Sequence, residues 1–473
     1  MSQTSKQNPP PPAPPTVIYV SGPQTATDSS WQNQPTMNST MAGAMIFSSA
    51  GMNMAMGLGW SEASLYAWVN HFCYSWFIGV IIGTILAIPL RHFMPKRWIM
   101  ASAGVLVLIG GILFTSVPQN YDALLAARYL NGIAAGLAFL PFLMHVSEIA
   151  VDSYRGRCLA TEQYYISFGI AIQMIYASYW TSGINFPVNR LHGIFDIIFG
   201  VFTGIFLIWF VESPIDQIRK GDEAAALGCL SRLQRPQGVT AYTRLQLEQL
   251  KSYVREQENL SIAESFQQGL VPLIKMLLVR SVMLAFLYSL TLNFTLKYSV
   301  LINGDIWAPT VAGACRILAG IIAYVLADSG LGRKLPSTIA AIVIGGLMIG
   351  ESTFFVNLVD MVNITGLHTA MVMFIVIQAF VGFFTPYTSI YMGEAFPLRV
   401  KSYLIACCVI FEQIIQIILI ETLRLPLGNG LMAEGIIVVV VGFLMMLIMP
   451  ETRNTSLTEA QQRFRSLFYL RAH

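Results

Sequence analysis

Twelve apolar stretches, each long enough to cross a bilayer, recur along this chain. A helix needs ~20 mainly apolar residues to span a ~30 Å hydrocarbon core. Such stretches occupy approximately 41–60, 68–90, 98–117, 123–146, 159–180, 192–211, 279–301, 309–327, 336–357, 367–392, 402–423 and 431–449. In lipid each segment has to satisfy its own backbone hydrogen bonds, so the expected fold is an all-α membrane protein of twelve transmembrane helices. Composition agrees. Of 473 residues only 11% are charged and 55% are apolar, with a mean hydropathy of +0.60, whereas soluble domains carry about a quarter charged residues. A water-soluble enzyme is therefore excluded.

The spans divide the chain into five parts: a Pro-rich N-terminus expected to be disordered (1–40), a first six-helix bundle (41–211), a charged helical segment (212–270), a second six-helix bundle (271–449) and a tail (450–473). Of the 28 Lys and Arg, Arg128, Lys297 and Arg316 lie well inside spans, Arg280 at the edge of one (279–301), and Arg190 and Arg424 in loops on one face. All the others fall on the opposite face, with the two termini and the central segment. The positive-inside rule puts that face in the cytoplasm. Six cysteines, all in spans or on the basic face, form neither a disulfide framework nor a zinc pattern. No Walker A motif, metal-ligand spacing or nucleophile elbow occurs, so no cofactor, metal or enzymatic activity is expected. No basic patch with interleaved aromatics suggests nucleic acid. The expected partners are a small-molecule substrate and the lipid bilayer, and a monomer suffices. The run Pro9 to Pro15 favours polyproline II, a stiff spacer that can also serve as an SH3 or WW ligand.

Landmarks repeat at a nearly constant offset. Lys96 and Arg97 after span two are echoed by Arg333 and Lys334 after span eight; Glu148 with Arg155 by Glu394 with Arg399; Glu212 by Glu451. The offsets of 237, 246 and 239 residues imply that six spans are duplicated in the same order. Parallel repeats of this kind build carriers whose substrate binds between the halves.

The landmark residues resemble the sugar porter family of the major facilitator superfamily. The resemblance rests on Arg128 to Gly132, Pro141, Ser147 to Ala150, Arg155 and Gly156, then Glu212-Ser213-Pro214 with Lys220 and Gly221. It continues through Asp328 with Gly332 to Lys334, Glu394 to Lys401, and Pro450-Glu451-Thr452 with Ser456 and Leu457. It has the flavour of facilitative glucose and insect trehalose carriers. It implies alternating access of a small polar solute, a hexose or trehalose foremost, across the plasma membrane. It also implies a latch of charges on the basic face: Glu148, Arg155, Glu212, Arg333, Glu394, Arg399 and Glu451.

The family's sugar pocket is only partly kept. Gln163 and Asn293 match two of its amides, and Pro386 is retained. The paired glutamines of span seven fall on Leu287 and Tyr288, the span-ten tryptophan on Ser389, the span-eight asparagine on Arg316, and the span-eleven asparagine and tryptophan on Glu412 and Gln413. Candidate substrate-binding residues are thus Gln163, Asn293, Tyr288, Arg316, Ser389, Glu412 and Gln413. A charge at mid-membrane is expensive and points to function. Arg316 and Glu412 admit three roles: they pair with each other, Arg316 binds an anionic substrate, or Glu412 couples transport to protons. Beside a sugar carrier stand an organic-anion or proton-coupled carrier using these two residues, and a sensor or scaffold that no longer transports.

Overall fold

The computed structural model of the chain describes residues 31–61, 70–179 and 184–469, and all regular structure among them is helical. Ten helices are long and apolar enough to cross a membrane. Two more have the length but are more polar, Gln34–Gly57 and Arg155–Tyr179. In chain order the spans are one, Gln34–Gly57; two, Asn70–Phe93; three, Lys96–Ser116; four, Tyr121–Ile149; five, Arg155–Tyr179; six, Val188–Trp209. The second half comprises seven, Ile262–Asn303; eight, Ala308–Leu326; nine, Lys334–Phe355; ten, Ile364–Ala395; eleven, Lys401–Thr422; twelve, Gly428–Ile448.

The polarity of spans one and five follows from their position. They cross in the middle of the first half, where a Cβ on Gly51 would lie 2.0 Å from the Ile166 carbonyl oxygen. Spans two and four approach as closely, at Gly132 against the Trp76 carbonyl (2.3 Å). Such small residues let membrane helices touch backbone to backbone. Gly346 of span nine, by contrast, has open space where its side chain would be.

Two boundaries differ from expectation. Span one begins at Gln34, so residues 31–40 are not part of a disordered arm. Thr36 Oγ1 donates to the Leu233 carbonyl (3.1 Å), and the Arg235 N–H donates to the Gln32 carbonyl (2.9 Å). The Ser and Thr of this stretch hid it from hydropathy. Pro9 to Pro15 lie outside the described residues.

Span seven starts at Ile262 rather than 279 and is interrupted. It opens with the amphipathic helix Ile262–Met276, widens into a π segment at Leu277–Val282, resumes as Met283–Leu287 and breaks at Tyr288. Ser289 then caps Leu290–Asn303 by accepting from the Leu292 N–H (3.1 Å). The central segment forms helices Pro214–Arg219, Glu223–Arg232 and Ala241–Asn259, joined through Ala226, Leu230 and Leu247. The tail docks by helix Leu457–Arg465, where Phe464 is buried and Gln461 donates to the Phe396 carbonyl (2.8 Å).

Candidate functional site

A polar seam runs between the halves. Glu162 and Gln163 face the second half from span five. Arg280, carried inward by the π segment, places Nη2 2.5 Å from Glu162 Oε1 and Nη1 3.1 Å from Oε2. Its Nη1 also reaches Ser389 Oγ at 3.4 Å, and its Nε faces Glu412 Oε2 at 3.5 Å. Gln163 Nε2 donates to Glu162 (2.9 Å), while its oxygen accepts from the Tyr288 hydroxyl (2.8 Å). The break at Tyr288 frees that side chain to turn into the seam. Its ring lies 4.9 Å from the Arg316 guanidinium, which donates through Nη1 to Gln378 Oε1. Glu162, Gln163, Arg280, Tyr288, Arg316, Ser389 and Gln413 are at most 2% exposed. The site is therefore closed to water in this conformation.

Closure extends to both ends. Towards the face away from the termini, Trp60 Nε1 donates to Asn293 Oδ1 (3.1 Å), and Lys297 donates to the Gly59 carbonyl. On the basic face Arg155 Nε meets Glu394 Oε1 at 2.7 Å, and Arg333 Nη1 meets Glu394 Oε2 at 2.9 Å. Arg333 Nη2 also reaches Asp328 Oδ1 (2.7 Å), and the Gly156 and Arg157 N–H groups donate to the same carboxylate across the boundary. Burial works to lower the pKa of Arg333, but Glu394 and Asp328 raise it on balance. Lys401 adds a bond to Ser147 Oγ (2.6 Å).

Not every charge expected in this group crosses the boundary. Glu148 pairs with Lys96 within the first half, and Lys96 also holds Asp216 at 2.8 Å. Burial tends to raise the Asp216 pKa, yet the adjacent ammonium lowers it on balance. Glu212 makes no ion pair among the described residues, and burial together with the Asp216 charge raises its pKa. Arg399 caps the end of helix Ala241–Asn259, donating to the carbonyls of Leu260 and Glu258. Glu451 accepts from the backbone N–H groups of Arg333 (2.7 Å) and Lys334 (3.0 Å).

The first half holds a second polar network. Asp196 accepts from Ser49 Oγ (2.7 Å) and Asn131 Nδ2 (2.7 Å), with His192 Nε2 at 3.2 Å. Arg128 is satisfied by neutral acceptors: Asn53 O, Phe72 O, Ser75 Oγ and Cys73 O, at 2.8 to 3.1 Å. His145, beside Ser39 Oγ (3.1 Å) and stacked on Phe210, is a packed core histidine.

Comparison with known proteins decides the family. The profile of the family described as "Sugar (and other) transporter" matches residues 18–464. The chain belongs to the sugar (and other) transporter family. The arabinose-proton symporter of Bacillus subtilis is 24% identical over 422 residues, 81% of this chain and 84% of that protein. The facilitated glucose transporter member 5 of Bos taurus is 28% identical over 166 residues, only 33% of this chain and 32% of that one. A solved structure of the proton:xylose symporter XylE bound to 6-bromo-6-deoxy-D-glucose superposes with a TM-score of 0.73 at 18% identity, covering 92% of this chain and 99% of that one. The fold is the major facilitator fold, and the chain is a multi-pass transporter.

Within this transporter, the structure brings Gln163, Tyr288, Arg316, Ser389 and Glu412 into one seam and uses Asn293 in closing one end. Arg316 and Glu412 do not pair with each other. Glu412 faces Arg280, and Arg316 bonds Gln378. Sequence reasoning missed Glu162, Arg280, Gln378 and Asp196. Arg280 sits at the second position of the expected span 279–301 and was counted with the flanking basic residues, whereas the helix begins at Ile262 and carries it well inside. Glu162 carried a usable signal, an acid inside an apolar span beside Gln163.

Proposed function

We propose that this transporter carries a sugar by alternating access, binding it in the seam between Gln163 of the first half and Tyr288, Arg316 and Ser389 of the second. One observation carries the reading: two duplicated six-helix halves meet along a polar seam whose hydrogen-bonded side chains come from both halves. Amides and hydroxyls suit sugar hydroxyls, and the aromatic face of Tyr288 suits the C–H surface of a sugar ring. The Arg155–Glu394 contact and its Asp328 and Lys401 companions form the inner gate, and Trp60 with Asn293 forms the outer one. Both termini lie in the cytoplasm, with the basic face, and the plasma membrane is the expected site of action.

The test is uptake of labelled glucose and trehalose by transport-null cells expressing the chain, with Gln163→Ala in parallel. Saturable uptake that collapses in the variant supports the reading. Surface-expressed protein that takes up neither sugar, nor any related pentose or sugar acid, overturns it.

A further inference from the structure

Among the charges of the seam, Arg316 alone has no counter-ion. Arg280 is embraced by Glu162 and approached by Glu412. No carboxylate lies within ion-pair distance of Arg316 among the described residues, although it is 2% exposed. Its bonded neighbours among the described residues are neutral, the Gln378 oxygen through Nη1 and the Tyr288 phenol. Nε and Nη2 find no acceptor among the described residues. These two nitrogens share one edge of the planar guanidinium and present two parallel N–H groups. That edge matches the two oxygens of a carboxylate, a pairing stronger and more directional than a bond to a neutral hydroxyl.

The backbone beneath Arg316 is fixed. A Cβ on Gly382 of span ten would lie 2.1 Å from the Arg316 carbonyl oxygen, so spans eight and ten touch at this residue. From that crossing the side chain extends over the Tyr288 ring. Tyr288 in turn bonds Gln163, which places the free edge in the seam where the sugar is proposed to bind. Gln378 Nε2 and Gln413 Oε1 are also buried without a partner. One offers a donor and the other an acceptor, suited to hydroxyls.

We propose that the transported sugar carries a carboxylate, as in a hexuronate or aldonate, and that the free Nε–Nη2 edge of Arg316 binds it. A neutral sugar can engage the two N–H groups but leaves the positive charge uncompensated, whereas a sugar acid satisfies both. The inference rests on the sugar-carrier reading and narrows its substrate class.

The experiment uses the full chain, purified and reconstituted in liposomes. Thermal shift and uptake are measured with glucuronate, gluconate, glucose and sodium chloride, on wild type, Arg316→Lys and Arg316→Leu. Expected for wild type is at least tenfold tighter binding of glucuronate than of glucose. Arg316→Lys, which keeps the charge and loses the fork, lowers that ratio about tenfold. Arg316→Leu abolishes it, while raising the melting temperature of the ligand-free protein because an unpaired buried charge is gone. Glucose uptake with no preference for glucuronate overturns the inference and leaves the sugar reading intact. A preference that survives in Arg316→Leu, or a thermal shift with chloride equal to that with glucuronate, also overturns it. Neither binding nor uptake of any of the three organic compounds overturns the inference, and the sugar reading falls with it only if trehalose and pentoses are refused as well.

Discussion

Arg155 and Glu394, 239 residues apart in sequence, meet at 2.7 Å across the boundary between the two halves, their side chains 2% and 0% exposed. Exposed ion pairs are worth ~0–1 kcal/mol, but removing one partner of a buried pair costs about 3–5 kcal/mol. On the proposed alternating-access reading, the inner gate closes on a contact that has to be exchanged for water whenever it opens.

Glu394→Gln removes the carboxylate that Arg155 and Arg333 share, leaving them only Asp152 and Asp328 on their own sides. The expected result is a population shifted towards the inward-open state, read as faster thiol labelling of Cys158 from the basic face. Labelling at the wild-type rate would show that Glu394 does not hold the gate.

Arg280→Ala strands Glu162 and Glu412 in a dry interior and should lower stability by about 3–5 kcal/mol. The double variant Arg280→Gln with Glu162→Gln removes charge in balanced fashion and should recover most of that loss in thermal unfolding. If the double variant is no more stable than the single one, the pair is not the structural element described above.

Tyr288→Phe keeps the ring beneath Arg316 and removes only the hydroxyl that donates to Gln163. A lost hydrogen bond of this kind is worth about 1–2 kcal/mol, so KM should rise roughly five- to thirtyfold. An unchanged KM with a reduced turnover would assign Tyr288 to gating rather than to substrate.

Gly382→Ala forces spans eight and ten apart because the neighbouring atom is backbone and cannot swing away. Uptake should be lost or strongly reduced. Gly346→Ala, which meets nothing within 4 Å, is the matched control and should leave expression and uptake near wild type.

Acid acts on the Lys96–Asp216 pair. The folded-state pKa of Asp216 is lowered on balance by the ammonium, against the effect of burial. Its stabilising contribution is complete above the unfolded carboxylate value of about 3.9 and is lost as pH falls through the lower folded value. Wild type and Asp216→Asn should therefore differ in melting temperature above about pH 4 and converge below it. A constant difference down to the most acid pH tested would contradict this.

The architecture was legible because lipid imposes length and apolarity on nearly every helix, and because Lys96, Glu148 and Glu212 have echoes in the second half. The latch was legible in part. Arg155, Arg333 and Glu394 meet, but Glu148, Glu212 and Arg399 do not reach across, since position at a helix end does not say which neighbour a side chain will meet. The centre was least legible. Hydropathy places residues along the membrane normal but not around a helix axis, so it could not show that Glu412 faces Arg280 and not Arg316. The π segment at Leu277–Val282, which rotates Arg280 inward, leaves no signature in residue spacing.

Spans one and five are less apolar than the other ten, and they pack against each other in the interior of the first half. Each therefore gains less from lipid alone than its ten neighbours do. During synthesis span one emerges about 120 residues before span five, so it has to be retained by the insertion machinery, or by spans two to four, until that partner arrives. Variants that loosen the Gly51 crossing should then be caught by quality control during biogenesis, before any defect in transport can be measured.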